Sequence, residues 1–231
     1  MKRFSLWLAA ICLSASAVAN NIITIDSVCG APQTEAVVTV SLDNAEPVRA
    51  LEIFIPLPED LNFVDGSCVL SSRSNGHRIS AAQLGRELRI YIYGLTTNSI
   101  LGNSGTLFTM RLRLGSNPGS YDLSPTVLLG NSSGNALPCE VVPGNVTIQA
   151  PQIKLITPTI DFGRVPIRAS YTRNIQLKNT GNAPLVRSNI ISSDALFVPE
   201  KTQLTIPPQE TASIPLYYAP TQRGATSQTL R

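Results

Sequence analysis

The chain has 231 residues and a formal net charge of +3, and 43% of its residues are hydrophobic while only 14% are charged. Its lysines and arginines are scattered, with no run longer than Lys2-Arg3, so the sequence offers no basic patch for nucleic acid. The single histidine and the cysteine spacings do not suit a zinc site, and we expect no metal and no cofactor.

The first nineteen residues predict a secretory signal peptide. Lys2-Arg3 form a short positive region, an apolar run follows, and Ala17-Val18-Ala19 is a small-residue cleavage site. The apolar run is shorter than the roughly 20 residues that a membrane span needs, and no later stretch is long and apolar enough. We therefore expect a chain without a membrane span that is secreted or held at the cell surface.

Almost the whole mature chain shows the period-two alternation of strands, broken by Gly, Asn, Ser and Pro clusters. Strands are predicted in the first half at 22–27, 35–42, 50–56, 78–80, 87–93, 105–114, 121–129 and 141–149. In the second half they are predicted at 153–156, 172–179, 185–191, 203–206 and 210–218. Pro151 cannot donate to a ladder and marks a boundary between a first domain at 20–150 and a second at 151–231.

Three cysteines remain after cleavage: Cys29, Cys68 and Cys139. In an oxidising compartment one disulfide and one free thiol are expected, and three pairings are possible. Cys29 and Cys139 flank the first and last strands of the first domain, which favours that pair.

The first domain resembles cohesin domains. The resemblance rests on segments 41–44 (Ser-Leu-Asp-Asn), 48–53 (Val-Arg-Ala-Leu-Glu-Ile), 57–64 (Leu-Pro-Glu-Asp-Leu-Asn-Phe-Val), 102–110 (Gly-Asn-Ser-Gly-Thr-Leu-Phe-Thr-Met) and 119–123 (Gly-Ser-Tyr-Asp-Leu), in that order. It implies a nine-stranded jelly-roll sandwich. It also implies that the domain binds a dockerin module within a complex that degrades polysaccharide.

The second domain resembles the Ig-like domain of ASPM, SPD-2 and Hydin proteins. Its motifs are 161–166 (Asp-Phe-Gly-Arg-Val-Pro), 177–185 (Leu-Lys-Asn-Thr-Gly-Asn-Ala-Pro-Leu) and 218–220 (Tyr-Ala-Pro). Phe162 is expected to close one end of the sandwich, and Gly163 to permit a tight turn. The family has one more full strand after Pro220, whereas residues 227–231 supply only a short one, so we expect the natural protein to continue beyond Arg231.

The sequence does not predict an enzyme. It has no serine in a Gly-x-Ser-x-Gly elbow, no glycine-rich phosphate loop and no aspartate-rich calcium loop. Glu59-Asp60 could belong to a glycosidase pair, but beside Pro58 they are better explained as solvated loop carboxylates. His77 is likewise predicted to be a solvated loop residue.

Two predicted strands supply the candidate binding surface. If Leu51, Ile53 and Ile55 face the core, Ala50, Glu52 and Phe54 face outward, and the same alternation in 87–93 turns Arg89, Tyr91 and Tyr93 outward. In cohesin-like folds the matching strands are neighbours on the sheet that docks the partner. We expect Glu52 and Arg89 to form a cross-strand ion pair. With the opposite phase, or under a domain interface, the tyrosines would instead be buried.

The sequence thus predicts an all-β chain, a cohesin-like jelly roll followed by an Ig-like sandwich. The predicted function is a non-catalytic interaction module that scaffolds a dockerin-like protein partner in polysaccharide degradation. Direct carbohydrate binding through Tyr91 and Tyr93 is one alternative, and a passive spacer in a surface adhesin is another. Where the cohesin resemblance implies a dockerin-contacting Asn-x-Asp, this chain has Ala50 and Glu52.

Overall fold

The computed structural model describes residues 21–74, 76–96 and 98–226. The signal peptide predicted at 1–19 and the short strand expected at 227–231 lie outside these ranges. Within them the chain is built from strands, with one short 3-10 helix at Ser72–Ser74, which confirms the all-β class. In this part of the chain no helix has the length and apolarity that crossing a membrane requires.

Fourteen strands precede Pro151 in the described residues. They are β1 (Asn21–Ile25), β2 (Val28–Gly30), β3 (Glu35–Asp43), β4 (Ala50–Pro56), β5 (Leu61–Phe63), β6 (Val69–Leu70), β7 (His77–Leu84), β8 (Glu87–Gly94), β9 (Thr106–Leu114), β10 (Gly119–Leu123), β11 (Thr126–Gly130), β12 (Ala136–Leu137), β13 (Cys139–Val142) and β14 (Gly144–Ile148). Six strands follow it: β15 (Ile153–Leu155), β16 (Tyr171–Asn179), β17 (Leu185–Arg187), β18 (Phe197–Pro199), β19 (Leu204–Ile206) and β20 (Thr211–Tyr218).

The first fourteen strands form a sandwich around one core. One large sheet has the order β13-β1-β3-β9-β5 with β6 also on β9, the other has the order β12-β11-β4-β8-β7, and a short sheet β10-β14-β2 joins them. Apolar residues from both large sheets, such as Val40 and Phe108 in one and Ile53 and Ile90 in the other, are fully buried in a single cluster. The alternation along each strand places its apolar residues in this core and its polar residues outside.

The first and last strands of this domain run side by side and in parallel, which decides where the cysteines lie. Asn21 pairs with Cys139 in β13, and Cys29 pairs with Thr147 in β14, so the two cysteines belong to different strand pairs in different sheets. The predicted Cys29–Cys139 bond is therefore not formed, and the thiols of Cys29, Cys68 and Cys139 are free.

Prolines explain where the predicted strands differ from the observed ones. The single strand predicted at 121–129 is two strands, β10 and β11, in different sheets, because Ser124-Pro125 interrupts it. The strand predicted at 141–149 is likewise divided at Pro143 between β13 and β14. The short strand predicted at 78–80 extends over the eight residues of β7, the edge strand of its sheet.

The prediction of a solvated loop for His77 is wrong. His77 begins β7 and is only 9% exposed. Its Nε2 lies 3.1 Å from the carbonyl oxygen of Arg49, and since a carbonyl oxygen can only accept, Nε2 is the donor. Nδ1 is buried and has no hydrogen-bond partner among the described residues. The ring therefore ties the start of β7 to the loop before β4.

The last six strands form a smaller, separate pair of sheets, β15-β16-β20-β18 and β17-β19. Between them lies a core of five buried residues: Leu177, Leu185, Ile190, Ile206 and Ile214. Phe162 packs against Tyr218 and Phe197, with ring centroids 5.2 and 5.9 Å away, as expected for a residue that closes the sandwich. Gly163 has φ +63°, a backbone conformation that residues with a side chain rarely adopt.

Hydrogen bonds tie the chain around Pro151 to the loop after β16. Asn182 donates from Nδ2 to the carbonyl of Ile148 at 2.8 Å and accepts from the backbone N–H of Ala150 at 2.8 Å. The fully buried Asn179 accepts from the backbone N–H of Gln152 at 3.1 Å and of Gly181 at 3.0 Å. The amide side chains thus supply the hydrogen bonds that a neighbouring strand would otherwise make.

Candidate functional site

The structure places the six predicted surface residues together on one sheet face. Glu52, Arg89 and Tyr93 are exposed, and Ala50, Phe54 and Tyr91 are half-buried. Their neighbours in sequence face the core, since the apolar residues 51, 53 and 55 in β4 and 88, 90 and 92 in β8 are at most 1% exposed. The two strands lie side by side in the middle of the sheet, as the cohesin resemblance implies.

The register of β4 and β8 sets which side chains meet. Ala50 is opposite Tyr93, Glu52 is opposite Tyr91, and Phe54 is opposite Arg89. Residues directly opposite have Cβ atoms about 5 Å apart, so each pair is in contact range. The rings of Phe54 and Tyr91 meet edge to face, with centroids 6.0 Å apart and planes at 80°. This contact fixes the two rings against each other on the surface.

The ion pair predicted between Glu52 and Arg89 does not form, because the register puts a different residue opposite each of them. Arg89 instead donates from Nε to Glu87 Oε1 at 2.6 Å, from one outward position of β8 to the next. This hydrogen bond to Glu87 raises the pKa of Arg89 above its usual value. The guanidinium carbon also lies 5.9 Å from the ring centroid of Phe54, within cation–π range.

The sequence analysis missed Leu128. This residue of β11 pairs with Glu52 on the side away from Tyr91 and is 54% exposed. The alternation of Val127, Leu128 and Leu129 indicated that one of these apolar residues faces outward, but which strand would lie beside β4 depends on the sheet order. We call the outer face made by Ala50, Glu52, Phe54, Arg89, Tyr91, Tyr93 and Leu128 the aromatic face.

Asp60, one of the two carboxylates considered for a glycosidase pair, has hydrogen-bond partners that give it a structural role. Asp60 is accessible to solvent and is also hydrogen-bonded: its Oδ2 accepts from the Tyr121 hydroxyl at 3.0 Å and from Asn117 Nδ2 at 3.0 Å. The hydrogen bond from Asn117 is the main cause that lowers the pKa of Asp60 below its usual value. The carboxylate thereby joins the loop before β5 to the loop between β9 and β10.

The described residues offer little for covalent or metal chemistry. Among them no three His, Cys, Asp or Glu side chains are grouped so that they could hold a metal ion. Burial raises the pKa of the Cys68 thiol to about 11, which keeps it in the unreactive thiol form near neutral pH. The arrangement at the aromatic face is suited to contact with another molecule.

A cavity of about 760 Å³ with both polar and apolar lining residues lies in the second domain, away from the aromatic face. It is lined by interior residues of the small sandwich, among them Leu155, Ile175, Leu185 and Phe197. Leu155 points inward opposite Leu177 and is nevertheless 53% exposed, so the inner face of this sheet is incompletely covered in the described residues.

Residues 153–231 match the family model described as abnormal spindle-like microcephaly-associated, ASPM-SPD-2-Hydin. The second domain is similar to ASPM-SPD-2-Hydin domains. This match confirms the resemblance drawn from the motifs of the second domain. A comparison with curated proteins finds no match.

Among solved structures, the first part of the chain is similar to a non-cellulosomal cohesin from the hyperthermophilic archaeon Archaeoglobus fulgidus. The TM-score is 0.50 at 20% identity, covering 57% of this chain and 93% of that chain. CaCohA2 from Clostridium acetobutylicum has a TM-score of 0.48 at 14% identity, covering 56% and 90%. A type I cohesin–dockerin complex from Clostridium thermocellum has a TM-score of 0.48 at 16% identity, covering 56% and 99%. The predicted cohesin-like fold is confirmed. At these sequence identities the similarity shows the fold alone.

Proposed function

We propose that this protein is a non-catalytic interaction module whose cohesin-like domain docks a protein partner on the aromatic face. The two domains divide at Ala150-Pro151, and the second domain serves as a spacer or a further contact surface. The setting is a secreted or cell-surface complex that degrades polysaccharide, and the partner is a dockerin-like module. The cohesin-like fold and the position of the aromatic face in its sheet support this function.

The aromatic face itself is the observation that carries the proposal. Phe54, Tyr91, Tyr93 and Leu128 expose apolar surface side by side on the rigid middle of a sheet. Aromatic residues are the usual anchors of protein interfaces, because they bury much area and lose little conformational entropy on binding. Strands that are already fixed by neighbours on both sides add no ordering cost.

The same geometry favours a protein over a sugar. A sugar ring stacks on a broad, free aromatic face, whereas the Tyr91 ring is half-buried and in edge-to-face contact with Phe54. Leu128 adds aliphatic surface that offers a sugar no hydrogen bond. Carbohydrate binding therefore rests mainly on Tyr93, which is 43% exposed.

The contacts of the partner must differ from those that the family motif implies. Ala50 has no hydrogen-bonding side chain where an asparagine is expected, and Glu52 extends one methylene further than an aspartate. A partner of this chain therefore gains less from polar contacts at position 50 and more from the apolar surface around it.

The test compares Tyr91→Ala with Val37→Ala, an exposed apolar residue on the opposite sheet. Both variants and the wild type are used as bait for exported proteins of the source organism and are applied to a glycan array. We expect a dockerin-type protein whose affinity falls about 30-fold with Tyr91→Ala, as for an interface anchor worth about 2 kcal/mol, and is unchanged with Val37→Ala.

Other outcomes contradict the proposal in distinct ways. Glycan binding that Tyr91→Ala or Tyr93→Ala abolishes, without a protein partner, would establish the carbohydrate-binding alternative. Silence in both assays would leave the passive spacer. Binding that Val37→Ala weakens as much as Tyr91→Ala would place the interface on the other sheet.

A further inference from the structure

Glu52 is a lone carboxylate at the centre of the aromatic face. Tyr91 lies directly opposite it on one side and Leu128 on the other, and Ala50 and Phe54 are the next outward residues along its own strand. Its side chain is exposed and forms no hydrogen bond or ion pair with any of the described residues. The residues directly opposite Glu52 and next to it along its strand are thus apolar or aromatic, and the diagonal positions hold Arg89 and Tyr93 in β8 and Thr126 in β11.

No cation of the same sheet is placed to neutralise Glu52. Arg89 is engaged by Glu87 at 2.6 Å. Arg78 is in β7, two strands from β4 and opposite Tyr93, which places it in the neighbouring row of side chains. Two strand spacings amount to about 10 Å between backbones. Glu52 therefore has no ion-pair partner among the described residues, and its exposed carboxylate is solvated.

A partner that covers the aromatic face must also take this water away. Tyr91 and Leu128 cannot be buried without burying the carboxylate between them, because the three residues form one row across adjacent strands. An ionised carboxylate that loses its water and gains no partner is strongly unfavourable. The face consequently rejects an apolar partner that has no cation at this point.

We propose that the protein partner inserts a basic side chain, preferably an arginine, onto Glu52. This inference rests on the proposed function of the aromatic face. A guanidinium can pair with the carboxylate through two N–H groups while its plane stacks on the ring of Tyr91, and Leu128 covers the aliphatic part of the same side chain. The partner segment is therefore a cation flanked by apolar residues.

The probe is a displayed library of small three-helix proteins with one randomised face, selected on the full mature chain. Binders are then measured against Glu52→Gln, against Tyr91→Ala, and against Glu59→Gln, an exposed carboxylate off this sheet that gives the same change of charge. We expect binders that are sensitive to Tyr91→Ala to be enriched in an arginine or lysine between apolar residues. They should lose about tenfold or more in affinity with Glu52→Gln and nothing with Glu59→Gln.

A charge exchange completes the test: Glu52→Lys should abolish binding, and replacing the basic residue of the binder by glutamate should restore it. Binders that depend on Tyr91 but tolerate Glu52→Gln, or that show no excess of basic residues, overturn this inference and leave the proposed docking face in place. If no selected binder depends on Tyr91, both the inference and the docking face are wrong.

Discussion

Arg73 should hold one end of the first domain together, and its removal should be costly although the residue lies in a single turn of 3-10 helix. Its guanidinium donates five hydrogen bonds: to the carbonyl oxygens of Leu42, Leu101, Gly102 and Gly105 and to Asn44 Oδ1. These acceptors belong to the end of β3, the turn after it and the loop before β9. A single side chain therefore joins segments about thirty residues apart in sequence.

The expected cost follows from which acceptors can find water instead. The bonds to Leu101, Gly102 and Gly105 are exposed, so water replaces them at little cost when Arg73 is removed. Those to Leu42 and Asn44 are partly buried. At about 1 to 1.5 kcal/mol for each of these two bonds, Arg73→Met should lower the free energy of unfolding by about 2 to 3 kcal/mol.

Differential scanning calorimetry of residues 20–231 measures this loss as a lower midpoint for the first domain, by about 10 °C. Arg73→Lys keeps the positive charge but presents only three donors without the planar fork, so it should recover less than half of the loss. If Arg73→Met stays within 0.5 kcal/mol of the wild type, a threshold of about the scatter between surface mutants, the hydrogen-bond network does not contribute to stability. If Arg73→Lys is fully stable, charge and not fork geometry is responsible.

Three further predictions concern other parts of the chain. Gly181→Ala places a Cβ against the carbonyl oxygen of Ala150 and should cost about 1 to 3 kcal/mol in thermal unfolding and speed proteolysis near Pro151, whereas Gly130→Ala, with no atom nearer than 4.0 Å, should change neither. Asp60 has a lowered pKa, so its contribution to stability is present above the unfolded pKa and is lost as pH falls through the folded pKa; Asp60→Asn should flatten unfolding midpoints measured across this acid range, and an unchanged profile would contradict the hydrogen-bond assignment. At pH 8 an aromatic disulfide reagent should modify exposed Cys29 well before Cys68, whose pKa is about 11, and the reverse order would show that β6 opens readily.

Local patterns in the sequence were sufficient to predict the longer strands and the direction in which their side chains point. The alternation in 50–56 and 87–93 predicted which residues of β4 and β8 face outward, because a strand with one buried face must bury every second residue. The roles of Phe162 and Gly163 could also be predicted from the sequence, since closing the end of a sandwich requires a large apolar residue and a positive φ favours glycine. The short strands β5, β6, β12 and β18 were missed, because two or three residues show no periodicity.

The pairing partners on the candidate site were decided only by the tertiary structure. Whether Glu52 met Arg89 or Tyr91 depended on the register of β4 against β8, which no pattern within either strand specifies. Leu128 joined the aromatic face because β11 lies next to β4, although 76 positions separate the paired residues 52 and 128 in the chain.

The cysteines and His77 show the same division. Their sequence positions indicated a disulfide and a solvated loop. In the structure Cys29 and Cys139 belong to different strand pairs, and the buried ring of His77 is hydrogen-bonded to the carbonyl of Arg49. The sequence by itself determined the all-β class, the two family resemblances and the outward phase of β4 and β8, because these depend on neighbours along the chain. The tertiary structure decided register, sheet order and burial of single side chains, because these depend on contacts between segments that are distant in sequence.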